Sequence, residues 1–181
     1  MATIEPTTLA VASGLATIRA VAESDADQIL ALRVATARET DFLSCHADEI
    51  QSTVEEQAAF LRRKLSSSVD LYLVAQVAGR IVGIASLDGS TLRRFGHGAT
   101  LGLAVSRELW DQGLGRALVQ CLLHWADSRG LVRIALEVVE TNVRAIRLYE
   151  SLGFEHEGRL RSRRKHDDRY LDNLAMSRLR K

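Results

Sequence analysis

Two glycines stand between an apolar run and the start of a helix, and together they could hold an anion. Residues 101–105 are apolar, as is typical of the end of a buried strand, and Gly113 and Gly115 follow after a polar turn. Beyond them, apolar side chains recur at helical spacing: Leu114, Leu118, Cys121, Leu122 and Trp125. Glycines allow a ligand to approach the backbone closely, and the first-turn N–H groups of a helix have no intrahelical acceptor. Because the helix dipole adds a partial positive charge there, this stretch predicts a phosphate-binding loop.

The spacing of this loop fits neither of the two common nucleotide-binding loops. A G-x-G-x-x-G turn would need glycine at position 118, which is Leu118, and a P-loop would need Gly-Lys-Ser/Thr. The segment 112–118, Gln-Gly-Leu-Gly-Arg-Ala-Leu, instead resembles the pyrophosphate-binding motif of the GNAT superfamily of acyl-CoA-dependent N-acyltransferases. Trp110 stands where that motif usually has Gln or Arg, as in branches that resemble ribosomal-protein and polyamine acetyltransferases.

A second motif downstream is similar to the second signature of the same family. It runs from Asn142 through Ala145 and Tyr149 to Gly153-Phe154. Glu157-Gly158 and the segment 170–176, Tyr-Leu-Asp-x-x-x-Met, are similar to the branch named above. The resemblance covers roughly residues 16–178 and implies a single-domain GNAT-like α/β fold.

The resemblance also implies how an acyl-CoA would bind. Its pyrophosphate would lie on backbone N–H groups of residues 112–116, and its pantetheine arm would lie like an added strand between residues 101–105 and the strand 132–139. A backbone N–H near Val105 would then stabilise the oxyanion of the reacting thioester. The implied cofactor-binding residues are Leu103, Ala104, Val105, Gln112, Gly113, Leu114, Gly115, Arg116, Ala117, Asn142, Ala145 and Tyr149.

Tyr149 is the candidate general acid. A phenol with a pKa of about 10 stays protonated at neutral pH and can donate a proton to the departing CoA thiolate. The alternative is that Tyr149 only packs on the apolar stripe of its helix. Asn142, just before that helix, either caps it or bonds cofactor atoms as in the family, and the two roles are compatible.

The general base is harder to assign. Related enzymes often carry Glu at the position of Thr100, which cannot accept a proton at neutral pH. Glu137, on the more polar face of the strand 132–139, is the candidate catalytic base, and His97, Glu39 or an ordered water chain are alternatives. The structural or solvent-facing interpretation is favoured over the catalytic one for each of these three side chains.

Two further features bear on the acceptor. Phe42 lies between the first two predicted helices, which form the acceptor wall in the family, and it could cover the acceptor or anchor the core. Residues 159–165 carry a basic cluster with period-2 spacing in its first part: Arg159, Arg161, Arg163, Arg164 and Lys165. This cluster is interpreted as a solvated strand face, with a site for a CoA phosphate or an acidic acceptor as the alternative.

The elements that must position these residues follow from the hydrophobic periodicity. The predicted order is β-α-α-β-β-β-α-β-α-β-β, a mixed, mostly antiparallel central sheet flanked by helices. Residues 1–15, rich in Thr, Ala and Ser, are predicted to be a flexible tail, and residues 16–181 the acyltransferase domain. The last two strands leave an edge that could pair in a homodimer.

Composition excludes several classes of protein. The net charge is +1, the basic cluster has no interleaved aromatic residues, and no apolar run of about 18 residues occurs, so neither a nucleic-acid nor a membrane partner is predicted. No metal site is predicted. The two cysteines form no disulfide framework, and residues 1–14 lack the basic and apolar regions of a secretory signal. A reduced, cytoplasmic protein is the simplest interpretation.

The sequence therefore predicts an N-acetyltransferase that moves an acetyl group from acetyl-CoA to a primary amine by direct attack in a ternary complex. No Cys or Ser lies in a recognisable nucleophile setting, which disfavours a covalent acyl-enzyme. The acceptor stays open between a small amine and a protein N-terminus. The alternative function is a non-catalytic acyl-CoA-binding module.

Overall fold

The structure, a computed structural model, describes residues 4–180. Its strands are β1 (Thr7–Val11), β2 (Gly14–Ala20), β3 (Leu71–Val77), β4 (Arg80–Gly89), β5 (Gly98–Val105), β6 (Arg133–Val139), β7 (Glu155–His166) and β8 (Arg169–Leu179). Its α-helices are α1 (Ala26–Glu39), α2 (Val54–Ser66), α3 (Leu114–Ser128) and α4 (Val143–Ser151).

All eight strands form one sheet in the order β1-β2-β3-β4-β5-β6-β8-β7. Strands β5 and β6 run parallel, and the other neighbouring pairs are antiparallel. This confirms the mixed, mostly antiparallel sheet predicted from the sequence. None of the helices within residues 4–180 is long and apolar enough to cross a membrane.

The structure has one strand that the sequence analysis did not predict. Strand β1 pairs with β2 as a hairpin, from Thr7 opposite Ile18 to Val11 opposite Gly14. Residues 7–11 therefore belong to the sheet, although residues 1–15 were expected to form a flexible tail. Residues 1–3 of that expected tail lie outside the described residues. The segment was missed because its two threonines and one alanine give weak hydrophobic alternation, and pairing with β2 supplies the missing stabilisation.

The sheet is covered on both faces, because side chains of its central strands point alternately to two apolar clusters. Along β3, Leu73 packs into the cluster that contains α3, whereas Val74 packs into the cluster with Ile29 of α1 and Leu61 of α2. Burying a large apolar side chain contributes roughly 1.5–3 kcal/mol. The helices are thus held by many such residues, and the sheet becomes a rigid platform for whatever lies at its strand ends.

The sheet opens at one point, between β5 and β6. These strands pair only from Gly98 opposite Arg133 to Thr100 opposite Ala135. Beyond Thr100, β5 continues beside β4 as far as Val105, and β6 continues beside β8 as far as Val139. Because each strand follows its other neighbour, the two diverge into a wedge that lies next to the start of α3.

Candidate active site

The wedge between β5 and β6 is the base of a cleft with a volume of ≈ 860 Å³. The start of α3 and the helix α4 border one part of it, and the loop of residues 40–44 borders another. Most of the predicted cofactor-binding residues line this cleft, namely Leu103, Ala104, Val105, Gly113, Gly115, Arg116, Asn142, Ala145 and Tyr149. The candidate base Glu137 lines it as well.

The free edge of β5 presents backbone groups to the cleft. The N–H of Ser106 donates to the carbonyl of Val82 at 2.9 Å, on the β4 side. Since successive residues of a strand direct their backbone groups to opposite edges, those of Leu103 and Val105 point toward β6 and the wedge. A strand edge without its neighbour is a template for an extended ligand, as the resemblance implied for the pantetheine arm.

Trp110 has a structural role at the end of β5. Its indole Nε1–H donates to the carbonyl oxygen of Val105 at 2.8 Å. The guanidinium carbon of Arg144 lies 3.4 Å from the centroid of the Trp110 ring, a cation–π contact. The indole thus occupies the Val105 carbonyl and, together with the Ser106 N–H bond to Val82, fixes the peptide between Val105 and Ser106 at the end of β5.

The glycine loop has the geometry of an anion site. Gly113 caps α3 with φ of 82°, a left-handed conformation that side chains strain. The N–H of Ala117 donates to the carbonyl of Gly113 at 3.0 Å. The N–H groups of Leu114, Gly115 and Arg116 lie in the first turn of α3 and have no intrahelical acceptor. They lie at the positive end of the helix dipole, and the site therefore fits a pyrophosphate.

Three of the predicted cofactor-binding residues have side chains outside the cleft. Leu114 is fully buried in the core, and Ala117 packs against the same cluster with its N–H already used in the helix. Gln112 accepts a hydrogen bond from the N–H of Ala12 at 2.8 Å and donates to the carbonyl of Glu108 at 2.8 Å. The Gln112 side chain therefore ties the glycine loop to the hairpin of β1 and β2.

Asn142 caps α4, which is one of the two roles predicted for it. Its Oδ1 accepts from the N–H of Ala145 at 3.2 Å, and its own N–H donates to the carbonyl of Val139 at 2.8 Å. Asn142 also lines the cleft, so a contact from its amide nitrogen to a cofactor is compatible with this cap.

Tyr149 is buried but borders the cleft. Its side chain is 7% exposed, and its ring packs against Phe154 with 5.6 Å between ring centroids. Burial raises the pKa of the Tyr149 hydroxyl to about 12. The phenol is therefore fully protonated at any assay pH near neutrality, and it is a proton donor held against the wedge.

Glu137 lies in the cleft as part of an ion pair. Its carboxylate accepts from Arg163 Nε at 2.9 Å and Nη2 at 3.2 Å, and from the buried Asn173 Nδ2 at 3.0 Å. The hydrogen bonds from Arg163 lower the pKa of the Glu137 carboxyl, against a smaller effect of partial burial. Glu137 is thus ionised at neutral pH, but it is a weak proton acceptor.

The other candidate bases do not line the cleft. Glu39 accepts a hydrogen bond from the N–H of Arg107 at 2.9 Å, and His97 lies in the connection before β5, exposed. Thr100 is exposed on β5, opposite Asp88 of β4. In the described part of the chain, no group of three or more His, Cys, Asp and Glu residues is placed to hold a metal ion.

Arg164 belongs to the basic cluster that was interpreted as a solvated strand face, but its side chain is half-buried and reaches the cleft. Its Nη1 donates to the carbonyls of Phe42 at 2.9 Å and Leu43 at 2.7 Å. Arg159 and Arg163 instead pair with carboxylates, Arg159 with Glu140 and Arg163 with Glu137. A signal was available, because Arg164 breaks the period-2 series of Arg159, Arg161 and Arg163. The register of β7 against β8 shifts between Leu160 and Arg164, and the shift re-aims this side chain.

Comparisons with known proteins agree with this geometry. A model of a family described as the acetyltransferase (GNAT) family matches residues 32–154. An acetyltransferase of the GNAT family from Streptococcus pneumoniae is 30% identical and superposes with a TM-score of 0.87, over 91% of this chain and 99% of that one. A ribosomal-protein-alanine N-acetyltransferase from Brucella melitensis is 26% identical, with a TM-score of 0.80 over 90% of this chain and 99% of that one.

A third solved structure shares the fold at lower identity. It is a Salmonella typhimurium protein solved with its cofactor acetyl-CoA, and it is 22% identical. It superposes with a TM-score of 0.80 over 91% of this chain and 93% of that one.

Proposed function

The chain belongs to the GNAT acetyltransferase family, and on that premise we propose that it transfers the acetyl group of acetyl-CoA directly to a primary amine. The observation that carries this proposal is the wedge between β5 and β6. It opens beside a helix start with unpaired N–H groups, and it is bordered by a protonated tyrosine. These are the three parts needed to hold a pyrophosphate, align an extended arm and donate a proton.

The chain's backbone does most of the binding in this proposal. The first-turn N–H groups of α3 bind the pyrophosphate, with Arg116 at the cleft edge adding a positive charge. The free edge of β5 holds the pantetheine arm through Leu103 and Val105. The N–H of Val105 donates to the thioester carbonyl oxygen and stabilises the negative charge that develops there.

The chemical step follows from these positions. The neutral amine nitrogen attacks the thioester carbonyl carbon, a C–N bond forms and the C–S bond breaks. Tyr149 donates its proton to the departing thiolate, and the nitrogen loses one proton to a base or to water. The products are an N-acetylated amine and CoA with a free thiol.

We further propose Glu137 as the residue that accepts the amine's proton, directly or through water, since it is the one of the three candidates that lines the cleft. The Glu137→Gln variant should lower kcat/KM for the amine by about 10–100-fold, below the usual range of about 10²–10⁴ for general bases, because the pair with Arg163 weakens this carboxylate. KM for acetyl-CoA should change little. Steady-state kinetics with varied amine and varied acetyl-CoA measure both quantities.

Glu140→Gln is the matched control. Glu140 comes directly after β6, the strand that carries Glu137, but it pairs with Arg159 and lies outside the cleft. Its replacement by Gln should therefore leave kcat/KM for the amine unchanged. If Glu137→Gln behaves like Glu140→Gln, water rather than Glu137 takes the proton.

A panel of amines tests the function as a whole. Purified protein should release CoA from acetyl-CoA only when an accepted amine is present, and mass spectrometry should find that amine heavier by one acetyl group. The panel should contain small amines, amino acids and peptides with a free N-terminus, because both acceptor classes remain in question. Tight binding of acetyl-CoA with no CoA release from any amine would favour the non-catalytic acyl-CoA-binding module.

A homodimer through the edge strand β7 also remains a prediction. Within residues 4–180, strand β7 has only β8 as a neighbour, and most of its side chains are exposed, Leu160 among them. The register shift between Leu160 and Arg164 would limit pairing to the first half of the strand. Light scattering at tens of micromolar should give twice the mass of one chain, and a monomer mass would contradict the prediction.

A further inference from the structure

Arg164 is a half-buried cation at the part of the cleft formed by the loop of residues 40–44. Its Nη1 donates to the carbonyls of Phe42 and Leu43, and among residues 4–180 it forms no ion pair. Burial lowers the pKa of the Arg164 guanidinium; the charge of Glu137 opposes this effect and that of Arg163 adds to it. A guanidinium removed from water without an anionic partner is unfavourable, and an anionic ligand would relieve that cost.

The hydrogen bonds that Arg164 makes leave one edge of its planar guanidinium available. Arginine has five N–H donors in a planar fork, and the two carbonyls occupy those of Nη1. The edge formed by Nε and Nη2 has no acceptor among the described residues. In proteins, the Nε–Nη2 edge of an arginine can bind a carboxylate through two parallel hydrogen bonds.

The charges around Arg164 disfavour a polycationic acceptor. Among the described residues, Glu137 is the carboxylate that lines the cleft on this side, and its oxygens already accept from Arg163 and Asn173. Asp41 and Glu49 line a second cavity that Arg164 also borders, where Asp41 lies beside His166 and Glu49 accepts from the N–H of His46. A second ammonium group of a diamine would therefore face Arg164 without a free carboxylate. A carboxylate close to the accepting amine would instead meet an unpaired guanidinium.

We propose that the acceptor is an α-amino acid whose carboxylate binds the Nε–Nη2 edge of Arg164 while its amino group faces the wedge. The inference rests on the proposed function and names the acceptor class of the same cleft. In an α-amino acid the carboxylate and the amine are separated by a single carbon, so one ion pair fixes the position of the nucleophile. Hydrogen bonds of Arg164 to the 40–44 loop hold the guanidinium rigid enough for that role.

The test compares free L-amino acids with their α-carboxamides, which lack the charge but keep the amine and the side chain. For the wild type, kcat/KM calculated on the concentration of the neutral amine should be about 10–100-fold higher for the acid than for the amide, because a hydrogen-bonded charge pair contributes about that factor. The Arg164→Gln variant should lower this acid-to-amide ratio to near one. A purely structural role of Arg164 in the 40–44 loop would lower both rates and leave the ratio unchanged.

Arg161→Gln is the control, since Arg161 lies on the same strand, exposed and outside the cleft, and it should keep the wild-type ratio. Equal rates for acids and amides, or an unchanged ratio in Arg164→Gln, would overturn the inference while leaving acetyl transfer intact. A peptide with Asp or Glu at its N-terminus and an amidated C-terminus is the third arm of the test. Preference for that peptide over the free amino acids would also overturn it. Failure to release CoA with every amine would instead refute the proposed function.

Discussion

Replacement of Tyr149 by Phe is expected to lower kcat by about 10²-fold while KM for acetyl-CoA changes little. General acids contribute about 10²–10⁴-fold, and the lower end applies here because burial raises the pKa of Tyr149 to about 12. A phenol with so high a pKa keeps its proton but gives it up reluctantly to a thiolate. Its main contribution is a hydrogen bond that strengthens as the C–S bond breaks, and this affects kcat rather than KM.

The Phe variant separates catalysis from packing at Tyr149. Phe fills the same space against Phe154, so the thermal unfolding midpoint should stay close to that of the wild type. Tyr170, which is 65% exposed and outside the cleft, provides the control Tyr170→Phe, and its kinetics should be those of the wild type. A kcat for Tyr149→Phe within about twofold of the wild type would leave Tyr149 with a packing role only.

Replacement of Gly115 by Trp is expected to weaken CoA binding by at least about 100-fold, or ~2.7 kcal/mol. A Cβ at Gly115 would lie 3.6 Å from side-chain carbons of Leu103 and of Leu148, which are ordinary contacts at the floor of the wedge. An indole that extends from this point would cover the first-turn N–H groups of α3 and fill the path of the pantetheine arm. Isothermal titration of CoA into the folded variant measures the loss.

Two control variants identify the cause of that loss. Gly115→Ala fits the ordinary contacts and should raise the thermal midpoint slightly, because Ala favours a helix by about 1 kcal/mol over Gly. Gly158→Trp adds the same side chain on β7, where a Cβ meets no atom within 4 Å, and should keep full affinity. Wild-type affinity in a folded Gly115→Trp would show that CoA does not use this loop.

The fold could be predicted from the sequence where hydrophobic periodicity was strong. Leu114, Leu118 and Leu122 repeat on one face of α3, and all three are fully buried. Strand β1 escaped prediction because its pairing partner, rather than its own pattern, makes it a strand. The divergence of β5 and β6 has no local signal either, since it depends on which neighbours each strand follows. Only the family resemblance predicted it.

The site was predictable where backbone geometry follows from residue type, and less so where side chains meet over long distances in sequence. Gly113 has the positive φ that a glycine before a helix suggests. The pairing of Glu137 with Arg163, 26 residues later, could not be read from spacing, because it requires β6, β8 and β7 to lie side by side. The alternation of side chains along β7 would have indicated that Arg164 points away from Arg163. It could not have indicated the partners of Arg164, because the 40–44 loop lies about 120 positions earlier in the sequence.

The hydrogen bond between Ala12 and Gln112 makes the first hairpin part of the scaffold of the phosphate loop. Leu9 of that hairpin also lies 3.9 Å from where a Cβ at Gly113 would stand. Truncation of the chain before β2, or fusion of another protein to its N-terminus, would therefore alter the support of the glycine loop, which lies a hundred positions away in the sequence. CoA affinities measured on such variants would be those of a protein with a weakened glycine loop. A fusion partner is better attached after β8.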